Sequence, residues 1–283
     1  MAAATLANGR VIHYDDSGTG AADQEGQTPL VLLCGLGAPR SFWSETVTLL
    51  HEQRPHLRII TIDNRDAGEN EPEQAAYTIE VMADDVVGLL THLGIEQVDL
   101  GGLSMGGFIS QHLVLNHPGM VRRLLLFATT PVAGTAAGNT MVPPTEAEWV
   151  PDAYERQLKR APNSTGPGFG DANPDRINAI AEAYRGNGLT LPGYARQMDA
   201  INTSHNVRAR LGEIQVPTLI IHGDSDPVVP HTAAKLLERD IANATLHSYP
   251  GGGHLINWEA PQAFVQDVLE FLDATDTDTD TDA

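Results

Sequence analysis

Six short runs of apolar residues recur along the chain, at intervals that are too long for hairpins. Their apolar character is continuous rather than alternating, which is typical of strands that are buried on both faces. Because helical patterns separate these runs, the sequence predicts an α/β protein with a mostly parallel central sheet and helices on both faces. The predicted strands span residues 29–35, 57–63, 98–104, 123–129, 216–223 and 244–249.

The clearest helical pattern begins after Thr78, which is placed to cap a helix, and ends before Gly94. The apolar residues that recur there every three or four positions are Ile79, Met82, Val86, Leu89 and Leu93. The first residues of the chain show a different pattern, with a hairpin turn at Asn8-Gly9. This hairpin predicts antiparallel strands at one edge of the sheet.

One long interval, residues 131–212, contains no strand-like run. We expect it to form a helical lid inserted over the sheet, since a loop of this length inside a compact fold is uncommon. The alternative is a disordered insertion. Three helical patterns argue against it, at 149–158, 177–184 and 194–201. The expected organisation is a first core part at 1–130, the lid at 131–212, a second core part at 213–274 and a disordered acidic tail at 275–283.

Charge and composition exclude several classes of partner. The 37 acidic and 17 basic residues give a formal charge of −20, so the surface repels nucleic-acid backbones and anionic membranes. The uncharged stretch 124–145 carries prolines and glycines and is not a transmembrane helix. The single cysteine and the lack of a secretory signal predict a cytoplasmic protein. The sequence leaves the oligomeric state open.

The stretch "LGGLSMGGFIS" places Ser104 between a predicted strand and a predicted helix, with Gly102 and Gly106 on either side. It fits a dinucleotide-binding loop, a plain strand-to-helix turn, or a nucleophile held on a tight bend. A dinucleotide loop would need G-x-G-x-x-G after the first strand of its unit, and this stretch follows a later strand. The bend places the serine where ligands of such sheets bind, beside the free N–H groups of a helix N-terminus. We therefore interpret Ser104 as a nucleophile.

A serine nucleophile needs a base and an acid that orients the base. His254 follows three glycines at the end of the last predicted strand, where it can reach the same edge of the sheet. After the strand at 123–129 no carboxylate occurs before Glu146. The acid must then come from the turn that contains Asp224 and Asp226.

Three stretches, "GLSMGG", "HGDSDPVVP" and "GGGHLINWEAP", carry the serine, acid and histidine in this order. With them the chain resembles the α/β-hydrolase-fold serine hydrolases of the lidded, esterase-like kind. The resemblance implies that Asp226 is the acid and Asp224 a turn residue. It also implies an oxyanion hole made by the backbone N–H groups of Leu36 and Met105. No metal is expected, because the histidines lack the spacing of metal ligands, and no cofactor is expected either.

Two stretches depart from the family pattern. Cys34-Gly35 replaces the usual His-Gly, and we interpret Cys34 as a small buried residue rather than a reactive thiol. The stretch "DNRDAGEN" at 63–70 replaces the common D-x-R-G-x-G-x-S and resembles the branch that contains polyketide methyl esterases. That branch favours a carboxylic ester over a peptide or a halide as substrate.

These patterns predict a serine hydrolase that cleaves a carboxylic ester or lactone through an acyl-enzyme, with a small-molecule ester as its substrate. A serine that attacked an alkyl carbon would form an inert ether, so the target must be an acyl carbon. One alternative is an acyltransferase or a cofactor-free perhydrolase, which passes the acyl group to an acceptor other than water. Another is a small-molecule receptor of the same fold that performs no catalysis.

Overall fold

In a computed structural model of the chain, residues 2–18 and 28–274 are described. They form an eight-stranded sheet in the order β1-β2-β4-β3-β5-β6-β7-β8. All pairings from β4 to β8 are parallel, while β1 and β2 pair antiparallel at one edge. The strands are β1 (Ala2–Thr5), β2 (Val11–Asp16), β3 (Leu30–Leu33), β4 (Ile59–Ile62), β5 (Val98–Leu103), β6 (Val121–Phe127), β7 (Thr218–Gly223) and β8 (Ala244–Tyr249).

Helices cover both faces of this sheet. Successive residues of β3 alternate between two apolar clusters: Val31 and Leu33 pack with residues of α2, α3 and α8, and Leu30 and Leu32 with residues of α1 and α10. The helices are α1 (Ser44–Gln53), α2 (Ile79–His92), α3 (Met105–Asn116), α4 (Ala153–Arg160), α5 (Phe169–Ala172), α6 (Pro174–Glu182), α7 (Leu191–Ser204), α8 (Thr232–Asp240), α9 (Ile256–Glu259) and α10 (Pro261–Asp273). The predicted parallel sheet between two helical layers is confirmed.

The local predictions at the start of the chain and at α2 are also confirmed. β1 and β2 form the expected hairpin, with Ala2 opposite Tyr14. The Thr78 hydroxyl caps α2 by accepting a hydrogen bond from the Val81 N–H at 3.2 Å. Gly94 follows the helix with a φ of +68°, a conformation that glycine adopts without strain.

One prediction about the strands is wrong. The run at 244–249 was expected to be buried on both faces, yet none of the residues of β8 is fully buried. The physical reason is its place in the sheet: among the described strands β8 pairs only with β7, so it forms the second edge. The expected acidic tail at 275–283 lies outside the described residues.

The segment 131–212 contributes no strand to the sheet and contains α4, α5, α6 and α7. A bridge between Val132 and Asn206 joins the two ends of this segment. The segment packs on the rest of the described chain through α7 on α2 and through α6 on α9. Its assignment as a lid stays a prediction. Across residues 2–18 and 28–274, no helix is both long and apolar enough to cross a membrane.

Candidate active site

Ser104 occupies the tight turn between β5 and α3. Its φ of 55° and ψ of −116° lie in a region that side-chain-bearing residues rarely adopt. The turn is fixed by the Ser104 N–H, which donates to the carbonyl oxygen of Phe127 in β6 at 2.9 Å. The serine therefore stands at the carboxyl edge of the sheet, as the sequence predicted.

Gly102 and Gly106 permit this turn because α3 begins in direct contact with the strands. A Cβ atom on Gly106 would lie 2.3 Å from the carbonyl oxygen of Leu33. A Cβ atom on Gly102 would lie 2.3 Å from the backbone of Gly106. Both distances are far below van der Waals contact, so any larger residue would displace the first turn of α3 and with it Ser104.

The loop after β8 brings His254 to the acid after β7. The His254 Nδ1 lies 2.8 Å from Asp226 Oδ2, and both side chains are buried. A proton on Nδ1 donates to the carboxylate, which leaves Nε2 free to accept a proton. This arrangement is the one that a general base requires.

Asp226 is itself held as a carboxylate. Its Oδ1 accepts hydrogen bonds from the backbone N–H groups of Val228 at 2.7 Å and Val229 at 2.9 Å. The buried His222 Nε2 lies 3.3 Å from Oδ2. Burial alone would raise the pKa of Asp226, but the charge on His254 and hydrogen bonds from both histidines and the backbone lower it below the usual range of an aspartate.

Asp224 has a different environment. Its carboxylate is exposed and accepts hydrogen bonds from the Gly251 N–H at 2.7 Å and the Ser225 hydroxyl at 2.9 Å. These contacts tie the turn after β7 to the glycine loop that leads to His254. The structure thus brings Asp226, and not Asp224, to the imidazole.

Ser104 and His254 line one cavity of about 650 Å³ at the carboxyl edge of the sheet. Residues from the 131–212 segment, among them Arg160 and Ile201, line the same cavity. Among the described residues the Ser104 hydroxyl has no hydrogen-bond partner, His254 included. Hydrogen bonds of catalytic groups are often long without substrate, so this geometry is compatible with proton transfer.

Leu36 also lines the cavity, and Met105 is the first residue of α3. The first N–H groups of a helix have no partner within the helix, so the Met105 N–H is free to bind an anion. Within the described residues, the Leu36 N–H makes no hydrogen bond either. Both amides are therefore free to donate, one from the loop after β3 and one from the start of α3.

Three polar residues of this region were not predicted from the sequence. Glu259 accepts hydrogen bonds from the N–H groups of Gly166, Gly253 and Leu255, and so orders the loop on both sides of His254. Gln197 and Asn187 contact the loop after β3 from the 131–212 segment. Only for Glu259 did the sequence offer a clue, because it lies four residues after Leu255 and six after Gly253, close enough to bond to both. The other two lie 160 and 150 residues from Gly37, the residue of that loop to which they bond.

The two departures from the family pattern lie in contact. The Asn64 side-chain amide donates to the carbonyl oxygen of Cys34 at 2.9 Å. The Cys34 thiol is fully buried and lies 3.2 Å from the carbonyl oxygen of Pro39. Burial, followed by the charge of Asp63, raises the pKa of this thiol well above its usual value. The interpretation of Cys34 as a small buried residue is confirmed.

Curated proteins of similar sequence cover nearly the whole chain. A 2-hydroxy-6-oxo-2,4-heptadienoate hydrolase from Pseudomonas putida is 28% identical over 96% of each chain. A 3-oxoadipate enol-lactonase from Acinetobacter baylyi is 28% identical over 85% of this chain and 87% of its own. Neither comparison confirms the resemblance to polyketide methyl esterases.

Solved structures show the same architecture. The enol-lactonase from Burkholderia xenovorans superposes with a TM-score of 0.78 at 26% identity, over 96% of this chain and 100% of its own. The sequence model of the alpha/beta hydrolase fold matches residues 28–261. The predicted α/β-hydrolase fold class is thereby confirmed. Since the match spans most of the chain, this protein belongs to the alpha/beta hydrolase fold family.

Proposed function

We propose that this protein is a serine hydrolase that cleaves a carboxylic ester or lactone with Ser104, His254 and Asp226. The observation that carries the proposal is the 2.8 Å contact between His254 Nδ1 and Asp226 Oδ2, made by a histidine that shares a cavity with Ser104. At the coarser level, family membership and the names of the two curated relatives support a hydrolase. One of those names specifies a lactone, which is an internal carboxylic ester.

In this mechanism the His254 Nε2 removes the proton from the Ser104 hydroxyl as its oxygen attacks the acyl carbon. Asp226 holds the tautomer with the proton on Nδ1 and stabilises the imidazolium that forms. The negative charge on the former carbonyl oxygen is stabilised by the N–H groups of Leu36 and Met105. His254 then gives its proton to the leaving alcohol, and an acyl-Ser104 remains.

Water completes the cycle. His254 removes a proton from a water molecule, whose oxygen attacks the acyl carbon; the ester bond to Ser104 breaks and the serine takes the proton. An acceptor alcohol or peroxide in place of water would give the acyltransferase or perhydrolase reaction. The substrate is a small molecule. A cytoplasmic location and the lack of nucleic-acid or membrane partners stay predictions.

The decisive experiment combines turnover with covalent labelling. A panel of p-nitrophenyl esters and lactones is assayed with wild type, Ser104→Ala and Ser110→Ala. Ser110 is a matched control because it lies in α3, six residues after Ser104, and among the described residues its hydroxyl donates only to the Gly106 carbonyl oxygen. Loss of the nucleophile should lower kcat by about 10⁴-fold or more.

An organophosphate should add to Ser104 alone, as peptide mass spectrometry of the treated protein can establish. A chelator should leave the activity unchanged. A label on another residue, or full activity in Ser104→Ala, would contradict the proposed nucleophile. Lack of turnover with every ester, lactone and acceptor would favour the receptor alternative.

A further inference from the structure

One part of the cavity wall is polar and carries positive charge. It is formed by α4 and the turn after it, with Gln157, Arg160 and Ser164, and by Tyr184 just after α6. No aspartate or glutamate is among the lining residues of this cavity in the part of the chain that the structure describes. The absence of acids is informative because acidic residues outnumber basic ones by 37 to 17 in this chain.

Arg160 has no carboxylate partner among residues 2–18 and 28–274. Its guanidinium lies over the ring of Tyr194, with 5.0 Å to the centroid. Arg185 in the same segment shows the usual alternative, since it forms a double hydrogen bond with Glu182. Arg160 is therefore able to pair with an anion that is not part of the chain.

A second guanidinium, that of Arg156, lies one helical turn before Arg160. It donates to the carbonyl oxygens of Val150 and Pro151, and none of the described carboxylates pairs with it. Burial, and next the charge of Arg160, lower the pKa of Arg156. Two neighbouring like charges without a counterion are unfavourable, and an anion bound between α4 and Tyr184 would relieve this repulsion.

Neutral donors complete this wall. Tyr184 is only 8% exposed, yet its hydroxyl makes no hydrogen bond to any described residue. Burial raises the pKa of Tyr184, so the hydroxyl keeps its proton and can donate it to an acceptor. The side-chain amide of Gln157, also buried, is likewise unbonded within the described part of the chain.

The polar wall is adjacent to the proposed catalytic base. The His254 N–H donates to the carbonyl oxygen of Ser164 at 2.8 Å. Other residues that line the cavity are apolar, among them Ile201, Val229 and Leu236. The cavity thus fits a molecule with one anionic end near α4 and an apolar remainder.

We propose that this wall is a carboxylate-binding subsite, and that the substrate is an ester or lactone that also carries a free carboxylate. Arg160 supplies the opposite charge, while Tyr184 and Gln157 donate hydrogen bonds to the carboxylate oxygens. The inference rests on the proposed hydrolase function. It adds the substrate class, which neither the triad residues nor the fold define.

The test uses two p-nitrophenyl esters of equal chain length: the glutarate half-ester, which has a free carboxylate, and the neutral pentanoate. The ratio of their kcat/KM values should favour the half-ester in wild type. Arg160 is exposed to solvent, so its charge-assisted hydrogen bond should lie at the weak end of the usual range, and we expect Arg160→Gln to lower this ratio by about 10-fold. Tyr184→Phe should lower it by a smaller factor, and Arg185→Gln should leave it unchanged.

A binding measurement separates this inference from the proposed function. Calorimetric titration of Ser104→Ala with glutarate should show binding that Arg160→Gln in the same background weakens about 10-fold. If no ester is hydrolysed but glutarate binds in this way, the proposed function fails and the subsite stands. If both esters are hydrolysed with a ratio that Arg160→Gln does not change, the subsite is wrong. Tighter binding of inorganic phosphate than of glutarate would also overturn the carboxylate assignment.

Discussion

The backbone N–H of Gly37 donates to the side-chain oxygen of Gln197 at 2.7 Å. Gln197, a fully buried residue of α7, thus holds the loop after β3 in place. The bonded residue of this loop, Gly37, directly follows Leu36. The Gln197 amide group also donates to the carbonyl oxygen of Arg65 at 2.6 Å, which fixes its orientation. Asn187 contacts the other side of the same loop by donating to the Gly37 carbonyl oxygen at 2.8 Å.

The first prediction follows from this contact. Gln197→Leu keeps the volume of the side chain but removes both hydrogen bonds, so the loop that carries the Leu36 N–H should lose its fixed position. We expect kcat to fall about 10-fold, less than the 10²-fold or more that loss of an oxyanion donor costs. KM should change little, because Gln197 is not among the described residues that line the cavity.

Steady-state kinetics on a short neutral ester measures the effect. Asp199→Asn is the matched control, since Asp199 lies on the exposed face of α7 and should leave kcat unchanged. The thermal transition of each variant shows whether the loss is merely structural. A Gln197→Leu enzyme that stays folded with wild-type kcat would contradict the positioning role.

The second prediction distinguishes the two acids of the turn after β7. Asp226→Asn should lower kcat by about 10⁴-fold, because an amide facing His254 Nδ1 favours the wrong tautomer. Asp224→Asn should lower it less than 10-fold, since within the described structure its exposed carboxylate bonds only to the turn and the glycine loop. The comparison of kcat values at pH 8 checks both.

Because the lowered pKa of Asp226 keeps it ionised through the neutral range, the acid limb of the wild-type profile should follow a histidine. Histidine side chains titrate near pH 6.5 in general, so kcat/KM should fall with a single proton as the pH falls from about 8 to 5. Equal losses in the two variants, or an acid limb centred near pH 4, would contradict these roles.

The sequence was sufficient to predict the parallel sheet, because strands buried on both faces produce uninterrupted apolar runs. It could not predict that β8 is an edge strand. Its six residues have the pattern of an interior strand. The place of a strand within the sheet is decided by the tertiary fold, which the local pattern does not show. Within the candidate site, local patterns were sufficient to propose Ser104 and His254, while the choice between Asp224 and Asp226 required the family pattern.

The contacts of Gln197 and Asn187 were beyond prediction for a different reason. Each residue lies in a segment whose pattern indicates only a helix or its flank, and these partners are at least 119 residues away in the sequence. Nothing local in the sequence marks a glutamine that will be buried against a distant backbone amide. Such contacts depend on how the 131–212 segment packs on the sheet.

The third prediction concerns Gly106, two residues after Ser104. Gly106→Ala places a methyl group 2.3 Å from a backbone oxygen of β3, which a rotamer change cannot relieve. We expect the free energy of unfolding to fall by about 3 kcal/mol or more, at the upper end of the cost of overpacking. Activity should fall with it, because the turn that presents Ser104 has to shift.

Gly119→Ala is the control, since a Cβ atom there meets no other atom within 4 Å. Its free energy of unfolding should change by less than about 1 kcal/mol. Urea unfolding of wild type and the two variants gives the comparison. Equal stability of the two variants would show that α3 can move away from β3 without cost.

The fourth prediction concerns the buried His205, which stacks on Phe108 with ring centroids 4.0 Å apart. Its Nε2 donates to the carbonyl oxygen of Thr130 at 2.9 Å, and its Nδ1 has no hydrogen-bond partner in the described structure. Burial is the main cause that lowers the pKa of His205 to about 3, with a further contribution from His112. The folded protein therefore keeps this imidazole neutral at pH values where the unfolded chain protonates it.

The sign of the pH dependence follows from this difference. An unfolded histidine titrates near pH 6.5, so between about pH 6.5 and 3 the unfolded state binds one more proton at His205 than the folded state does. The free energy of unfolding therefore falls by up to about 1.4 kcal/mol for each pH unit by which the pH is lowered in this range. In His205→Gln, whose amide can still donate to Thr130, this part of the slope should disappear, even if the variant is less stable at pH 7. Urea unfolding at pH 7, 6 and 5 measures the slope, with the exposed His92→Gln as control. A slope in His205→Gln as steep as that of wild type would mean that the folded protein protonates His205 together with the unfolded chain, and that the buried site accepts its charge.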